Sequence, residues 1–117
     1  MRFTLTKADK ILKRQEFIAL TEIGRRIQNE HFIAVFSPGQ HGRSRLGVTV
    51  TKKVGKAVKR NRIKRIVREY FRLNSQFLKG EWDINIIAKR QIAGVASAEA
   101  YRSLQNIFNR ISKYDDR

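Results

Sequence analysis

The chain has 117 residues, 41% of them hydrophobic, and sets 26 lysines and arginines against 10 acids, a net charge of +16 with no cysteine. The length predicts one domain over residues 1–117 with a core of its own, and the missing cysteines exclude disulfides, thiolate nucleophiles and Cys-ligated zinc. A charge of +16 outruns what solubility requires, so a polyanionic partner is expected, either nucleic acid or an anionic membrane.

Residues 14–23 carry Phe17, Leu20 and Ile23 with Glu16 and Glu22 between them, a short helix that Gly24 can end. Residues 31–37 alternate weakly, Phe32, Ala34 and Phe36 against Ile33 and Val35, which predicts a strand buried on both faces over much of its length. The lone proline, Pro38, opens turn chemistry running to Ser44. Residues 45–51 alternate well, with Leu46, Val48 and Val50 on one face and Gly47, Thr49 and Thr51 on the other. A long helix follows over roughly 56–77, its apolar positions Ile63, Ile66, Val67, Tyr70 and Phe71. Residues 82–89 give a third strand, Trp82, Ile84, Ile86 and Ala88 opposite Asp83, Asn85, Ile87 and Lys89. Roughly 97–113 is a last helix, with Ser97 as its cap, Glu99 in its first turn, and Ala100, Leu104, Ile107, Phe108 and Ile111 facing inward. The sum is an α/β class, one sheet with helices packed on it.

The charge concentrates in the middle. Lys52, Lys53, Lys56, Lys59, Arg60, Arg62, Lys64, Arg65, Arg68 and Arg72 face only one acid, Glu69. At about 100° per residue, Arg60, Lys64, Arg68 and Arg72 are neighbours on one stripe, with Asn61 and Arg65 beside it. Like charges four apart repel by a few tenths of a kcal/mol per pair. A solvated face would intersperse acids, so phosphate is the economical partner. Arginine offers a bidentate fork for it, and Asn61 offers a neutral donor and acceptor for a base edge or ribose hydroxyl. Gly55 is read as the turn from strand into helix rather than as a phosphate contact.

Other chemistry finds little support. No apolar run approaches the roughly 20 residues of a spanning helix. Met1-Arg2-Phe3-Thr4-Leu5 leads into Lys7, Asp9 and Lys10 rather than a secretory core, so a cytoplasmic protein with no membrane contact is expected. His31 and His41 are the only histidines, and nothing pairs them at ligand spacing. Glu81 and Asp83 could share a strand face, but exposed acids at a strand start are commoner than a metal pair. Glu69 suits an intrahelical ion pair. No Gly-rich phosphate loop is present. A structural RNA-binding protein and a DNA reader remain alternatives. The chain lacks a helix-turn-helix, and its end, Lys113-Tyr114-Asp115-Asp116-Arg117, is no basic tail.

The run Arg45-Leu46-Gly47-Val48-Thr49-Val50-Thr51-Lys52-Lys53-Val54-Gly55-Lys56-Ala57-Val58-Lys59-Arg60-Asn61-Arg62-Ile63-Lys64-Arg65 closely resembles the signature of the bacterial ribonuclease P protein subunit, with Arg60-Asn61-Arg62 at its Arg-Asn-Arg core. The similarity continues through Arg68, Glu69 and Phe71, then Ile86, Ile87, Ala88, Lys89 and Arg90, and touches Arg14 and Phe17. This resemblance favours a subunit that assists an RNA catalyst. It implies a single α+β domain in αβββαβα order, similar to the second domain of ribosomal protein S5, with a left-handed crossover through the basic helix where right-handed ones are the rule. It also implies that a large RNA supplies the active site and cuts the 5′ leader from precursor tRNA. The chain would then hold no catalytic residue, metal or cofactor, with Mg2+ used by the RNA-containing holoenzyme. Its partners would be that RNA and precursor tRNA, with no obligate protein partner. By position, Lys56, Arg60, Asn61, Arg62, Lys64, Arg65 and Arg68 would face the catalytic RNA. Arg14, Phe17, Lys52, Lys53 and Arg90 would line a leader cleft between the first helix and the sheet, where small Thr49 leaves room. The chain departs from the family at Thr21 and Val35, where relatives often carry aromatics. Phe36 is the substitute if the strand register differs.

Overall fold

The computed structural model describes residues 5–39 and 42–114. The readings of His41 and of the two chain ends, 1–4 and 115–117, lie outside them. The elements follow as α1 (Arg14–Ile23), β1 (Arg25–Gln28), β2 (Phe32–Pro38), β3 (Arg45–Thr49), α2 (Ala57–Asn74), β4 (Trp82–Ala88) and α3 (Ser97–Ser112), with short 3-10 turns between some of them. This is the αβββαβα order of an α+β fold. One four-stranded sheet runs β1-β2-β4-β3. β2 pairs antiparallel with both β1 and β4, while β3 lies parallel to β4 and reaches it through α2.

β1 has no counterpart in the apolar alternation of the sequence. Arg25-Arg26-Ile27-Gln28 holds a single apolar residue and is mostly exposed, as suits a charged edge strand that discourages further pairing. The opposite edge, β3, is partly covered by the segment before α1. Lys10 bridges Leu46 in parallel, and the Ile11 N–H donates to the Leu46 carbonyl at 2.9 Å. At its C-terminus α2 gives way to a 3-10 turn over Ser75–Phe77 instead of continuing as α-helix. Ser97 does not cap α3. The cap position is Ala96, without a side-chain bond, and the Ser97 hydroxyl instead accepts from Arg62 at 3.2 Å.

β2 and β4 are central and buried on both faces, which explains their near-continuous apolar runs. One face, with Phe32, Ala34, Phe36, Ile84 and Ile86, forms the main core with α2 and α3. α1 covers the other, where Ile11, Leu20 and Val35 bury with Phe17, Ile33 and Ile87 beside them. The alternation of β2 therefore puts Val35, not Phe36, on the α1 face. Phe36 is fully buried and meets Trp82 and Tyr114 edge to face at 5.4 and 5.3 Å, so its ring cannot serve as a cleft aromatic. Phe36→Ala should cost about 3–5 kcal/mol of stability, the usual range for emptying a buried phenylalanine site, measured by urea unfolding. An unchanged midpoint would remove Phe36 from the core. No helix among the described residues is long and apolar enough to cross a membrane.

Candidate nucleic-acid interface

The 3.6-residue repeat that turns Ile63, Ile66, Val67, Tyr70 and Phe71 into the core turns another arc of α2 outward. Asn61, Arg65, Arg68, Glu69 and Arg72 wall a groove of about 520 Å³ whose other side is Leu5 and Lys10. Arg65 and Arg68 are exposed, and among the described residues neither has a hydrogen bond or ion pair. The one acid in the groove is already engaged. Glu69 lies 3.6 Å from Arg72, the expected intrahelical pair, and accepts from the Tyr101 hydroxyl. Burial, and then this bond to Glu69, pushes the Tyr101 hydroxyl up to about 12.

The rest of the basic set is distributed around the helix. Arg60 and Arg62 flank Asn61 some 200° apart. Arg60 Nε donates to the Gly55 carbonyl at 3.1 Å, which ties down the turn that Thr51–Gly55 makes into the helix. Arg62 Nη2 donates to the Val95 carbonyl at 3.1 Å and to the Ser97 hydroxyl, joining α2 to the start of α3. Each guanidinium keeps further N–H donors for a ligand. Lys64 is half-buried, whereas Lys56, at the helix cap, is exposed. The stripe that faces the groove is thus Asn61, Arg65, Arg68 and Arg72, with Arg60 drawn aside as a tether.

On the sheet's α1 face the register lines up Val35, Asn85 and Gly47 in one row and Ile33, Ile87 and Thr49 in the next. The Phe17 ring lies on Gly47, where an added Cβ would stand 2.5 Å from Phe17 Cε1. Only glycine admits the ring at this position. The Thr49 hydroxyl donates to Asn85 Oδ1 at 3.2 Å, and Asn85 is 5% exposed. Thr21, at one of the two positions where an aromatic is missing, turns its hydroxyl back to the Phe17 carbonyl at 2.9 Å. Lys52 and Lys53 are exposed in the turn after β3, Arg14 is exposed at the start of α1, and Arg90 is exposed just beyond β4. A smaller cleft of about 180 Å³ includes Lys10, Phe17, Gly47 and Arg68 in its lining. Arg68 therefore belongs to both this cleft and the α2 groove, and makes them one surface. A half-buried ring beside unpaired cations can stack a nucleobase while the cations follow phosphates.

Alternation alone did not reveal the device that seats α1. Arg45 donates to both Asp83 oxygens at 3.0 Å and to Glu16 at 3.2 Å. Asp83's hydrogen bonds outweigh burial and hold the Arg45 guanidinium above its usual range. Asp83 is therefore an ion-pair partner and not half of a metal pair with Glu81. Asp83→Asn should cost about 1–3 kcal/mol, the range for depriving a largely buried group of its partner. Denaturant unfolding would show this, and no loss would mean that Glu16 alone holds Arg45.

The ribonuclease P family model matches residues 5–112. The chain is 57% identical over 111 residues to the ribonuclease P protein component of Desulfatibacillum aliphaticivorans, covering 95% of this chain and 94% of that one. It is 46% identical to that of Desulfosudis oleivorans, covering 95% and 92%. Among solved structures, the Staphylococcus aureus RNase P protein superposes with a TM-score of 0.81 at 30% identity, covering 92% of this chain and 97% of that one. The Thermotoga maritima RNase P protein gives 0.81 at 33% identity, covering 87% and 96%.

Proposed function

Since the chain belongs to the ribonuclease P protein family, the protein component of a tRNA-processing ribonuclease, we propose that it binds the catalytic RNA with one part of its surface and the 5′ leader of precursor tRNA with another. Lys56, Arg60, Asn61, Arg62, Lys64, Arg65 and Arg68 face the catalytic RNA. Arg14, Phe17, Thr49, Lys52, Lys53 and Arg90 hold the leader. The observation that carries this reading is the continuity of the two surfaces at Arg68, which lines both the α2 groove and the Phe17 cleft. A chain that must set a leader beside an RNA active centre needs the two sites adjoining.

The protein's part is electrostatic and positional. Bringing a tRNA precursor against a large RNA sets phosphate against phosphate, and fixed cations with their released counterions offset that repulsion. Phe17 stacks a leader base and the lysines track its backbone. Cleavage of the phosphodiester then falls to the RNA and its Mg2+, in the cytoplasm, with no catalytic group from this chain.

The test is cleavage of precursor tRNA at low Mg2+ by the same organism's ribonuclease P RNA, with and without this protein, and by protein alone. Cleavage only by RNA plus protein is expected. Cleavage by protein alone would relocate the active site to this chain. RNA binding without any aid to cleavage would favour a structural RNA-binding role.

A further inference from the structure

Glu30, His31 and Glu99 meet where the turn between β1 and β2 packs on the first turn of α3, and the RNA reading uses none of them. Asn29 anchors the turn. Its Oδ1 accepts from the His31 and Phe32 N–H groups at 3.1 and 3.0 Å and from the Ser103 hydroxyl at 3.2 Å. Its Nδ2 donates to the Ser103 carbonyl at 2.9 Å and to Asn106 Oδ1 at 3.1 Å. A hydroxyl has one proton, and Ser103 commits it to Asn29. His31 Nδ1, 3.1 Å from the Ser103 oxygen, must then be the donor. The network thus places a proton on Nδ1, so Nε2 is the nitrogen left to meet a ligand.

His31 Nε2 faces two carboxylates. The His31 side chain is 6% exposed, and Nε2 lies 3.9 Å from Glu30 Oε1 and 3.9 Å from Glu99 Oε2. This is beyond hydrogen-bond distance, and ionised carboxylates have no proton to donate. A buried imidazole thus presents Nε2, with no hydrogen bond, between two carboxylates, where a cation would offset their charge.

We propose that Glu30, His31 and Glu99 bind a zinc ion that clamps the β1–β2 turn to α3. One atom from each of the three residues lies within 4.8 Å of the others. Zinc bonds of about 2.0–2.2 Å place tetrahedral ligand atoms about 3.4 Å apart. The remaining movement falls on Glu30 and Glu99, whose side chains are 77% and 53% exposed and free to turn. The buried imidazole is already held by Ser103, the hydrogen-bonded support that metal-binding histidines usually have. Magnesium and calcium prefer all-oxygen shells, whereas one imidazole with two carboxylates suits zinc, with water in the fourth position. The clamp sits where β4 ends. The Lys89 N–H donates to the His31 carbonyl at 2.9 Å, and Lys89 Nζ reaches the Asn29 carbonyl at 3.0 Å. The metal therefore also steadies the segment that carries Arg90.

The test titrates zinc sulfate into chelator-treated full-length protein by calorimetry, with the thermal midpoint followed in parallel. Binding of one zinc per chain and a midpoint raised by several degrees are expected, with no response to magnesium. Glu30→Gln and Glu99→Gln change exposed side chains, so the metal-free midpoint should hold while zinc affinity falls by at least tenfold for each. His31→Asn should abolish binding, and His41→Asn should leave it intact. No one-to-one binding in the parent protein would overturn the site. So would binding that survives both glutamine changes or disappears with His41→Asn. Nε2 would then carry a proton, and the three residues would form an ion-pair cluster.

Discussion

Replacing Arg65 and Arg68 together by alanine should weaken binding of the ribonuclease P RNA by roughly 30- to 100-fold and flatten its salt dependence. Both guanidiniums are exposed, and neither has a partner among the described residues, so neither is spent on holding the fold. Each arginine withdrawn from a phosphate takes about 0.7–0.9 off the slope of log affinity against log salt, so the slope should fall by roughly 1.4–1.8 for the pair. Taking about 1–1.4 kcal/mol for each exposed charge-assisted bond gives the stated drop in affinity. The thermal midpoint should move little, as for most surface changes. Arg60 and Arg62 make poorer probes, because their guanidiniums also hold the Gly55 and Val95 carbonyls, and alanine there mixes a folding defect with a binding one. A filter-binding series over salt checks the expectation, and an unchanged slope in the double variant would remove this face of α2 from the interface.

The contrast between Arg65 and Arg60 shows where sequence reading reached its limit. The helical repeat of Ile63, Ile66, Val67, Tyr70 and Phe71 was enough to locate α2 and its outward charge, because burial of one arc dictates the exposure of the other. Which arginines remain free depends on carbonyls at Gly55 and Val95, and the latter lies 33 positions from Arg62. The bond from Arg45 to Asp83 spans 38 positions, and no local pattern encodes it. β2 posed a different difficulty. With both faces buried, alternation separates Phe36 from Val35 without saying which faces α1, and the pairing of Val35 with Asn85, itself beside Gly47, settles that. β1 was visible only through the family resemblance, since Arg25-Arg26-Ile27-Gln28 has too little apolar character to register as a strand. The Glu30–His31–Glu99 cluster was invisible for the same reason as the bond from Arg45, its third member lying far along the chain on α3.

Phe17→Ala should lower binding of leader-bearing precursor tRNA by about 5- to 150-fold while leaving mature tRNA nearly unchanged, because a base stacked on an aromatic ring contributes about 1–3 kcal/mol. The ring also packs beside Ile11, Leu20 and Val35, so its removal costs some stability too, and equal weakening on both substrates would indicate a folding defect instead. Gly47→Ala separates the two effects, because it keeps the ring and removes its seat. The new Cβ would stand 2.5 Å from Phe17 Cε1 and 2.8 Å from Cζ, so the ring must leave the sheet face. Leader discrimination should then fall about as far as in Phe17→Ala. With both changes together the clash has no second partner, and the double variant should be no worse than Phe17→Ala alone. This non-additivity is the mark of two residues acting through one contact. Measured as the ratio of precursor to mature affinity for all four proteins, additive effects would mean that Gly47 and Phe17 influence the leader separately, and that the ring's place on Gly47 does not set how the leader is held.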